Sequence, residues 1–180
     1  TIAPHGFVNS VKHVSMLKER HLFAGNEQND IQEFLLFIIE CFHNALHRSV
    51  DMRITGSVKN ERDKLATECY KMMKQMYKNE YSEIVTLFYG IHISAIYSTK
   101  TNEILSMRPE PFSVLSLSLP NKKTICLNDC LDLYCIQEEL IDENAWYNES
   151  TGKKENVKRG IIFWSLPNVL IIHLKRFNNA

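Results

Sequence analysis

Apolar residues in the first part of the chain recur at helical spacing. After Asp30, positions 31, 34, 35, 38, 42, 45 and 46 are all apolar, which is the pattern of one helix face. Asp30 and Glu33 occupy the N-cap and N3 positions of this helix, so together they form a predicted capping box. The sequence predicts three helices: a short one within residues 1–25, one from Asp30 to about His47, and one from about Glu61 to Tyr81.

The period of the pattern changes to two after Ser82, as expected for strands. The clearest example is the alternating run Leu-Ser-Leu-Ser-Leu at residues 115–119. The predicted strands are 87–98, 112–119, 161–164 and 169–174. We expect the last of them to be central and buried on both faces, because it is almost wholly apolar.

Shorter features separate the predicted strands. Asn102 predicts a turn, and the Arg-Pro-Glu-Pro run at 108–111 predicts a stiff extended approach to the next strand. Asn128 is positioned to cap a short helix from Asp129 to about Cys135. An acidic stretch and then a basic one, 138–143 and 153–159, indicate two solvated arms of one hairpin. Because helices precede strands rather than alternating with them, we predict an α+β fold.

Composition excludes several classes of function. Lys plus Arg and Asp plus Glu each number 21, so no net field holds the chain on nucleic acid or on an anionic membrane. No apolar run approaches the ~20 residues that cross a bilayer. The five cysteines are an odd number and widely scattered, which favours a reducing compartment, the cytoplasm or nucleus. We expect neither nucleic acid nor a membrane as a partner.

Motifs in three separated regions of the sequence match one family of enzymes. Residues 25–35 read Gly-Asn-Glu-Gln-Asn-Asp-Ile-Gln-Glu-Phe-Leu, and residues 166–177 read Leu-Pro-Asn-Val-Leu-Ile-Ile-His-Leu-Lys-Arg-Phe. Between them lie Phe-Tyr-Gly at 88–90, Pro-Glu-Pro-Phe at 109–112 and Leu-Ser-Leu-Ser-Leu-Pro at 115–120. In this order and spacing, the stretches resemble the Gln-rich, Phe-x-Gly and Leu-Lys-Arg-Phe boxes of the ubiquitin-specific proteases, or ubiquitin carboxyl-terminal hydrolases.

The resemblance implies a papain-like cysteine protease fold of thumb helices and an antiparallel sheet of fingers and palm. Carried onto this sequence, it places the thumb at 1–86, the fingers at 87–160 and the start of the palm at 161–180, all within one partial domain. Family members hydrolyse the bond after the C-terminal glycine of ubiquitin, with a Cys nucleophile and a His base. The family's Cys box precedes the Gln-rich box and its His box follows the Leu-Lys-Arg-Phe box. We therefore expect no catalytic residue in this chain.

The five cysteines do not supply a substitute nucleophile or a zinc site. Cys41 and Cys69 fall among apolar helix positions, where a core thiol is the favoured interpretation. Many family members hold zinc with two Cys-x-x-Cys pairs in the fingers. The second pair would fall near Asn148 and Thr151, which cannot replace thiolates. We expect no metal and no cofactor.

The resemblance implies that this chain contacts ubiquitin. Ubiquitin's C-terminal tail is extended and carries two arginines, so its groove needs carboxylates and hydrogen-bonding groups. By the resemblance, Asp30 and Glu33 would pair with the tail arginines, Gln28 and Gln32 would hydrogen-bond to the tail, and Phe177 would pack against it. Asp30 and Glu33 also form a capping box that needs no ligand, and we expect both roles to coexist.

Three functions remain open from the sequence. The first is a fragment of a deubiquitinating cysteine protease, with ubiquitin or ubiquitinated proteins as its partner. The second is a catalytically inactive ubiquitin-binding or scaffold module of the same fold. The third is an unrelated α+β interaction protein that makes no contact with ubiquitin.

Overall fold

The computed structural model describes residues 3–176, and the chain separates into two compact units, Thr1–Ala45 and Leu46–Ala180. The first unit contains helix α1 (His5–Leu17), a 3-10 turn at His21–Phe23 and all but the last residue of helix α2 (Ile31–Leu46). The helix predicted from Asp30 is confirmed. The predicted short N-terminal helix is present and extends over 13 residues.

The second unit contains helices and a larger number of strands. Its helices are α3 (Glu61–Glu80), α4 (Glu83–Phe88) and α5 (Leu127–Cys135). Its strands are β1 (Gly90–Ser98), β2 (Ile104–Phe112), β3 (Val114–Ser118), β4 (Glu138–Leu140), β5 (Trp146–Asn148), β6 (Lys153–Glu155), β7 (Val157–Ser165) and β8 (Ile171–Lys175). The predicted α+β class is confirmed.

Three sheets connect these strands. The largest has the order β2-β1-β7-β4, and each neighbouring pair in it is antiparallel. Strands β5 and β6 form an antiparallel hairpin, whereas β3 and β8 pair in parallel. Strand β1 is the centre of the large sheet, because it pairs along its length with β2 on one edge and with β7 on the other.

One face of β1 packs against α3. Ile91 and Ile93 of the strand form a buried cluster with Cys69, which is completely inaccessible to solvent. Partly buried side chains surround this cluster, namely Leu65, Met72, Met73, Met107 and Trp164. The apolar side of α3 is therefore the face that covers the sheet.

A second apolar cluster joins the large sheet to the parallel pair. Its buried members are Phe112, Leu115, Leu117 and Cys130, so it connects β2, β3 and α5. The ring of Phe112 also lies 5.8 Å from that of Phe163 in β7, in an edge-on arrangement. The alternation predicted for β3 is thus explained, since Leu115 and Leu117 point inward while the intervening serine does not.

Two polar residues are buried in β1, and each has one side-chain partner, whereas the buried Nδ1 of His92 has no hydrogen-bond partner. His92 Nε2 lies 3.2 Å from Glu110 Oε2, and Arg159 Nε donates a hydrogen bond of 3.0 Å to Ser94 Oγ. Arg159 also forms ion pairs with Glu110 and, at 3.5 Å, with Glu138. These contacts offset the cost of burying polar groups, which allows a strand with a mixed sequence to occupy the centre of a sheet.

The structure corrects the predicted role of the 169–174 strand. Within the described residues, β8 pairs only with β3, and its side chains are half-buried rather than fully buried. The doubly buried strand is β1 instead. An apolar run predicts burial only where the neighbouring elements cover it, and strand order is not written in local composition.

The start of the first predicted strand was also wrong. Residues 83–88 form α4, because Ser82 Oγ accepts a hydrogen bond from the Val85 N–H and caps a short helix. Similarly, Cys126 rather than Asn128 caps α5, with the Asp129 carboxylate accepting from the Cys126 backbone N–H at 2.9 Å. At α4 the local cap overrides the strand propensity of the following residues, whereas at α5 the predicted helix is present and starts two residues earlier.

Two further predictions changed in extent. The 108–111 segment is part of strand β2, an edge strand, where Pro109 and Pro111 remove no essential ladder hydrogen bond. Strand β7 begins at Val157, earlier than predicted. The basic start of β7 pairs with the acidic strand β4, as the predicted hairpin requires. In the sequence, the β5–β6 hairpin is inserted between these two strands.

Gly90 lies where the backbone approaches its neighbours most closely. A Cβ atom at this position would be 2.6 Å from the Phe112 ring and 2.7 Å from the Ser165 carbonyl oxygen. The ring can tilt, but the carbonyl belongs to a paired strand and cannot easily move. The Phe-Tyr-Gly and Pro-Glu-Pro-Phe stretches, recognised separately in the sequence, therefore meet at one contact, since Gly90 is the register partner of Phe112.

We predict that Gly90→Ala lowers the free energy of unfolding by roughly 1–3 kcal/mol, the usual cost of overpacking. Urea unfolding followed by circular dichroism and by the fluorescence of Trp146 and Trp164 measures this. Gly25→Ala is the control, because a Cβ there meets nothing closer than 3.9 Å. Equal stability of the two variants would contradict the steric argument.

Arg48 and Glu83 form a bidentate ion pair at the entry to the second unit. The two guanidinium nitrogens lie 3.0 and 2.6 Å from the carboxylate oxygens. Arg48 also exchanges backbone hydrogen bonds with Tyr81 and lies 5.0 Å from the centre of its ring. The hydrogen bonds from Arg48 lower the pKa of Glu83 from 4.5 to about 2.

This depressed pKa predicts a specific dependence of stability on pH. The ion pair stabilises the fold above pH 4.5, and its contribution disappears as the pH falls toward 2. The stability difference between wild type and Glu83→Gln should therefore be largest near neutral pH and shrink across that interval. Urea unfolding at several pH values measures the difference, and Glu139→Gln is the control. A difference that is independent of pH would contradict the prediction.

Candidate functional site

The loop before α2 is fixed at several points. Phe23, which ends the 3-10 turn, is buried, and its ring lies 4.9 Å from that of Phe37 in α2. Lys12 Nζ donates a 2.8 Å hydrogen bond to Asn26 Oδ1, which ties the loop to α1. These contacts hold residues 24–30 in a defined position in front of the helix.

Asp30 caps α2 with one of its two carboxylate oxygens. Oδ1 accepts hydrogen bonds from the backbone N–H groups of Gln32, at 2.7 Å, and Glu33, at 3.1 Å. The Asp30 carbonyl oxygen accepts the first helical bond, from Phe34 N–H. The side chain is exposed and both capping bonds go to Oδ1, so Oδ2 is left to contact a ligand. Capping and cation binding are therefore compatible at Asp30.

The structure brings four of the five predicted site residues together. Gln28 and Glu33 are exposed, Gln32 is half-buried, and all flank Asp30 at the first turn of α2. Asp30 and Glu33 thus present two exposed carboxylates within one helical turn, an arrangement that is chemically suited to pairing with a cationic group. Phe177, the fifth predicted residue, lies outside the described residues.

Asn29, which the sequence analysis did not single out, directly precedes Asp30. Its Nδ2 donates to the Glu27 carbonyl oxygen at 3.0 Å, whereas its Oδ1 is buried and has no hydrogen-bond partner. A buried amide oxygen without a partner is unusual. The sequence around Asn29 gives no local signal for this burial.

The thiols of the described residues provide no activated nucleophile of the papain type. Burial raises the pKa of Cys41, Cys69 and Cys135, which disfavours their thiolates. Cys130 is buried, and the exposed Cys126 donates its S–H to Asp129 at 3.1 Å. The core assignment of Cys69 is confirmed.

Side-chain hydrogen bonds connect the two strands of the β5–β6 hairpin. They involve Asn148 and Thr151, the positions near which zinc-binding family members have their second Cys-x-x-Cys pair. Glu155 Oε1 accepts from Asn148 Nδ2 at 3.0 Å and from Thr151 Oγ1 at 2.6 Å. Asn148 Oδ1 in turn accepts from the Ser150 N–H. Within residues 3–176, no three His, Cys, Asp or Glu side chains are grouped so that they could hold a metal ion.

A match over the whole sequence establishes the family. The model of the ubiquitin carboxyl-terminal hydrolase family matches residues 1–180. The chain belongs to this family. The resemblance of the three boxes is thereby confirmed, and an unrelated α+β interaction protein is excluded.

Similar proteins include cellular and viral members of the family. The chain is 31% identical over 163 residues to ubiquitin carboxyl-terminal hydrolase 4 of Eremothecium gossypii, covering 87% of this chain and 19% of that protein. It is 30% identical over 155 residues to probable ubiquitin carboxyl-terminal hydrolase R319 of Acanthamoeba polyphaga mimivirus, covering 83% and 32%. The chain therefore spans about a fifth to a third of these relatives.

Solved structures of the family share the fold. The chain aligns with the SAGA DUB module of Ubp8, Sgf11, Sus1 and Sgf73 bound to ubiquitin aldehyde, with a TM-score of 0.64 and 23% identity, over 98% of this chain and 32% of that one. The same module bound to monoubiquitin aligns with a TM-score of 0.62 and 22% identity, over 98% and 33%. The predicted α+β fold is shared by these solved structures. In the part of the chain that the structure describes, no helix has the length and apolar character to cross a membrane.

The two roles of Asp30 can be separated by substitution. Asp30→Ala removes the cap, at a cost of about 1 kcal/mol to α2, whereas Asn caps as well as Asp. We therefore predict that amide hydrogen exchange in the first turn of α2 is about fivefold faster in Asp30→Ala and unchanged in Asp30→Asn. Unchanged exchange in Asp30→Ala would show that the cap seen in the structure does not stabilise the helix.

Proposed function

We propose that this chain is part of a deubiquitinating cysteine protease and that its own contribution is to hold the C-terminal tail of ubiquitin. The whole protein would hydrolyse the bond after ubiquitin's terminal glycine. The carrying observation is that Asp30 caps α2 through Oδ1 alone, which leaves an exposed carboxylate oxygen beside Glu33. The solved relatives bound to ubiquitin and ubiquitin aldehyde support ubiquitin as the partner.

The physical basis of binding is charge pairing on a fixed scaffold. The tail of ubiquitin is extended and carries two arginines, and Asp30 and Glu33 present two carboxylates at the start of one helix. Gln28 and Gln32 would add hydrogen bonds to the backbone of the tail, and Phe177 would pack against it. The tethered loop holds these groups in place before ubiquitin arrives, which reduces the entropy lost on binding.

The surroundings of three cysteines and of His173 favour a structural role for these residues over a catalytic one. Burial disfavours the thiolates of Cys41, Cys69 and Cys135, and His173 lies mid-strand with Nδ1 3.3 Å from Ser116 Oγ. We therefore propose that the chain binds ubiquitin and that residues elsewhere in the protein perform the chemistry. The proposed compartment is the cytoplasm or nucleus.

The same observation supports a second candidate, an inactive ubiquitin-binding or scaffold module of the same fold. The two candidates predict the same tail contacts and differ in catalysis. Hydrolysis of ubiquitin-aminomethylcoumarin by a longer protein carrying this chain would support the enzyme. Binding of ubiquitin by that protein without hydrolysis would support the module.

The binding proposal predicts a titration result. Isotope-labelled ubiquitin mixed with the folded chain should show amide shifts concentrated in its C-terminal tail. The double variant Asp30→Asn with Glu33→Gln keeps the cap and removes both charges, so its Kd should be about tenfold weaker because two exposed ion pairs are lost.

The matched control is Glu139→Gln with Glu143→Gln, which removes the same charge from two exposed residues elsewhere and should leave the Kd unchanged. If the variant at Asp30 and Glu33 gave tail shifts as large as those of the wild type, these two carboxylates would not be part of the binding site. Absence of tail shifts with a well-folded chain would overturn the binding proposal.

A further inference from the structure

A lysine-lined cleft lies between α3 and the segment that precedes it. Its volume is about 740 Å³, and one wall is the extended segment 49–52. The other wall is the C-terminal half of α3, with Lys71, Lys74 and Lys78 as its basic residues. The Val50 N–H donates to the Lys78 carbonyl oxygen at 3.1 Å, which fixes the two walls to each other.

The charges in this cleft do not cancel. Lys71 Nζ is paired with Glu68 at 2.7 Å, and Asp51 is paired with Arg53 at 3.3 Å. Within residues 3–176, no ion pair engages Lys74 or Lys78, and both side chains are exposed. The cleft therefore presents two uncompensated ammonium groups in a chain whose total charge is zero.

The spacing of these lysines selects a ligand geometry. Positions 74 and 78 are one helical turn apart on the same face, which separates them by about 6 Å along the axis. Side chains at i and i+2 of an extended peptide lie on one face about 6.6 Å apart. Two acidic residues separated by one residue thus match Lys74 and Lys78.

The lining also distinguishes between kinds of anion. Val50 and Met52 are half-buried in the wall, so the cleft has apolar surface as well as charge. Nucleic acid gains its affinity from many phosphate contacts, and two free lysines provide few. A short acidic peptide satisfies both the charge and the apolar wall.

We propose that the cleft between residues 49–52 and α3 docks an extended acidic segment of a protein, with the pattern acidic-x-acidic. The site is formed by residues of the second unit and uses none of the residues assigned to the ubiquitin tail. It is a second binding surface, suited to a partner or substrate protein. Its occupancy does not depend on the proposed ubiquitin contact.

The test uses fluorescence anisotropy with the full chain and a fluorescein-labelled peptide, Ser-Gly-Glu-Val-Glu-Gly-Ser. Lys74→Glu with Lys78→Glu should weaken its Kd at least about tenfold, since two attractions become repulsions. A peptide with both Glu replaced by Gln should bind equally weakly to wild type. Raising the salt concentration should weaken wild-type binding, because the charges are exposed.

The charge-matched control is Lys123→Glu with Lys153→Glu, two exposed residues outside the cleft, which should leave the Kd unchanged. Circular dichroism checks that each variant is folded, and Lys74→Gln with Lys78→Gln is used if the reversal disturbs α3. Equal loss of binding in the control would assign the effect to net charge and overturn the proposal. Tighter binding of a twelve-nucleotide single-stranded DNA than of the peptide, or no binding of the peptide to wild type, would also overturn it.

Discussion

The pairing of β1 on both of its edges is the interaction on which the second unit depends. Strands β2 and β7 both pair with β1, and α3 packs on the apolar face of β1. The close contact at Gly90 fixes where this pairing begins, because the backbone of β7 and the ring of Phe112 leave no room for a side chain. Two polar atoms of the strand, His92 Nε2 and Ser94 Oγ, have partners in Glu110 and Arg159, whereas the buried His92 Nδ1 has none.

The helices could be predicted from the sequence because their signals are local. Asn60 Oδ1 accepts from the Asp63 N–H and starts α3 at the predicted residue, and Asp30 does the same for α2. The strand that lies at the centre of the sheet could not be predicted in this way. Strand β1 contains His92 and Ser94, which interrupt an apolar pattern, and their partners come from residues far along the chain. The more apolar β8 has a strand neighbour on one side only within the described residues.

The residues of the candidate site could be named from the sequence, but their arrangement could not. The family's box placed Gln28, Asp30, Gln32 and Glu33 at the start of a helix, and the structure shows how one carboxylate can cap and still contact a ligand. The buried Oδ1 of Asn29 was not predictable, because its burial depends on the fold of the preceding loop. The lysine cleft was also missed. A lysine stripe on a helix indicates a solvated face. The stripe becomes one wall of a cleft because residues 49–52 lie alongside α3 and form the other wall.

The two prolines of β2 have a consequence for how copies of this chain meet. The large sheet ends on one side at β2, where Pro109 and Pro111 lack the N–H groups that an added strand would need. It ends on the other side at β4, which is only three residues long and carries two glutamates. Neither border is a template for strand addition. Among the strands that the structure describes, self-association by strand addition would therefore involve the two-stranded sheets, and polymerisation along the large sheet is suppressed by its own sequence.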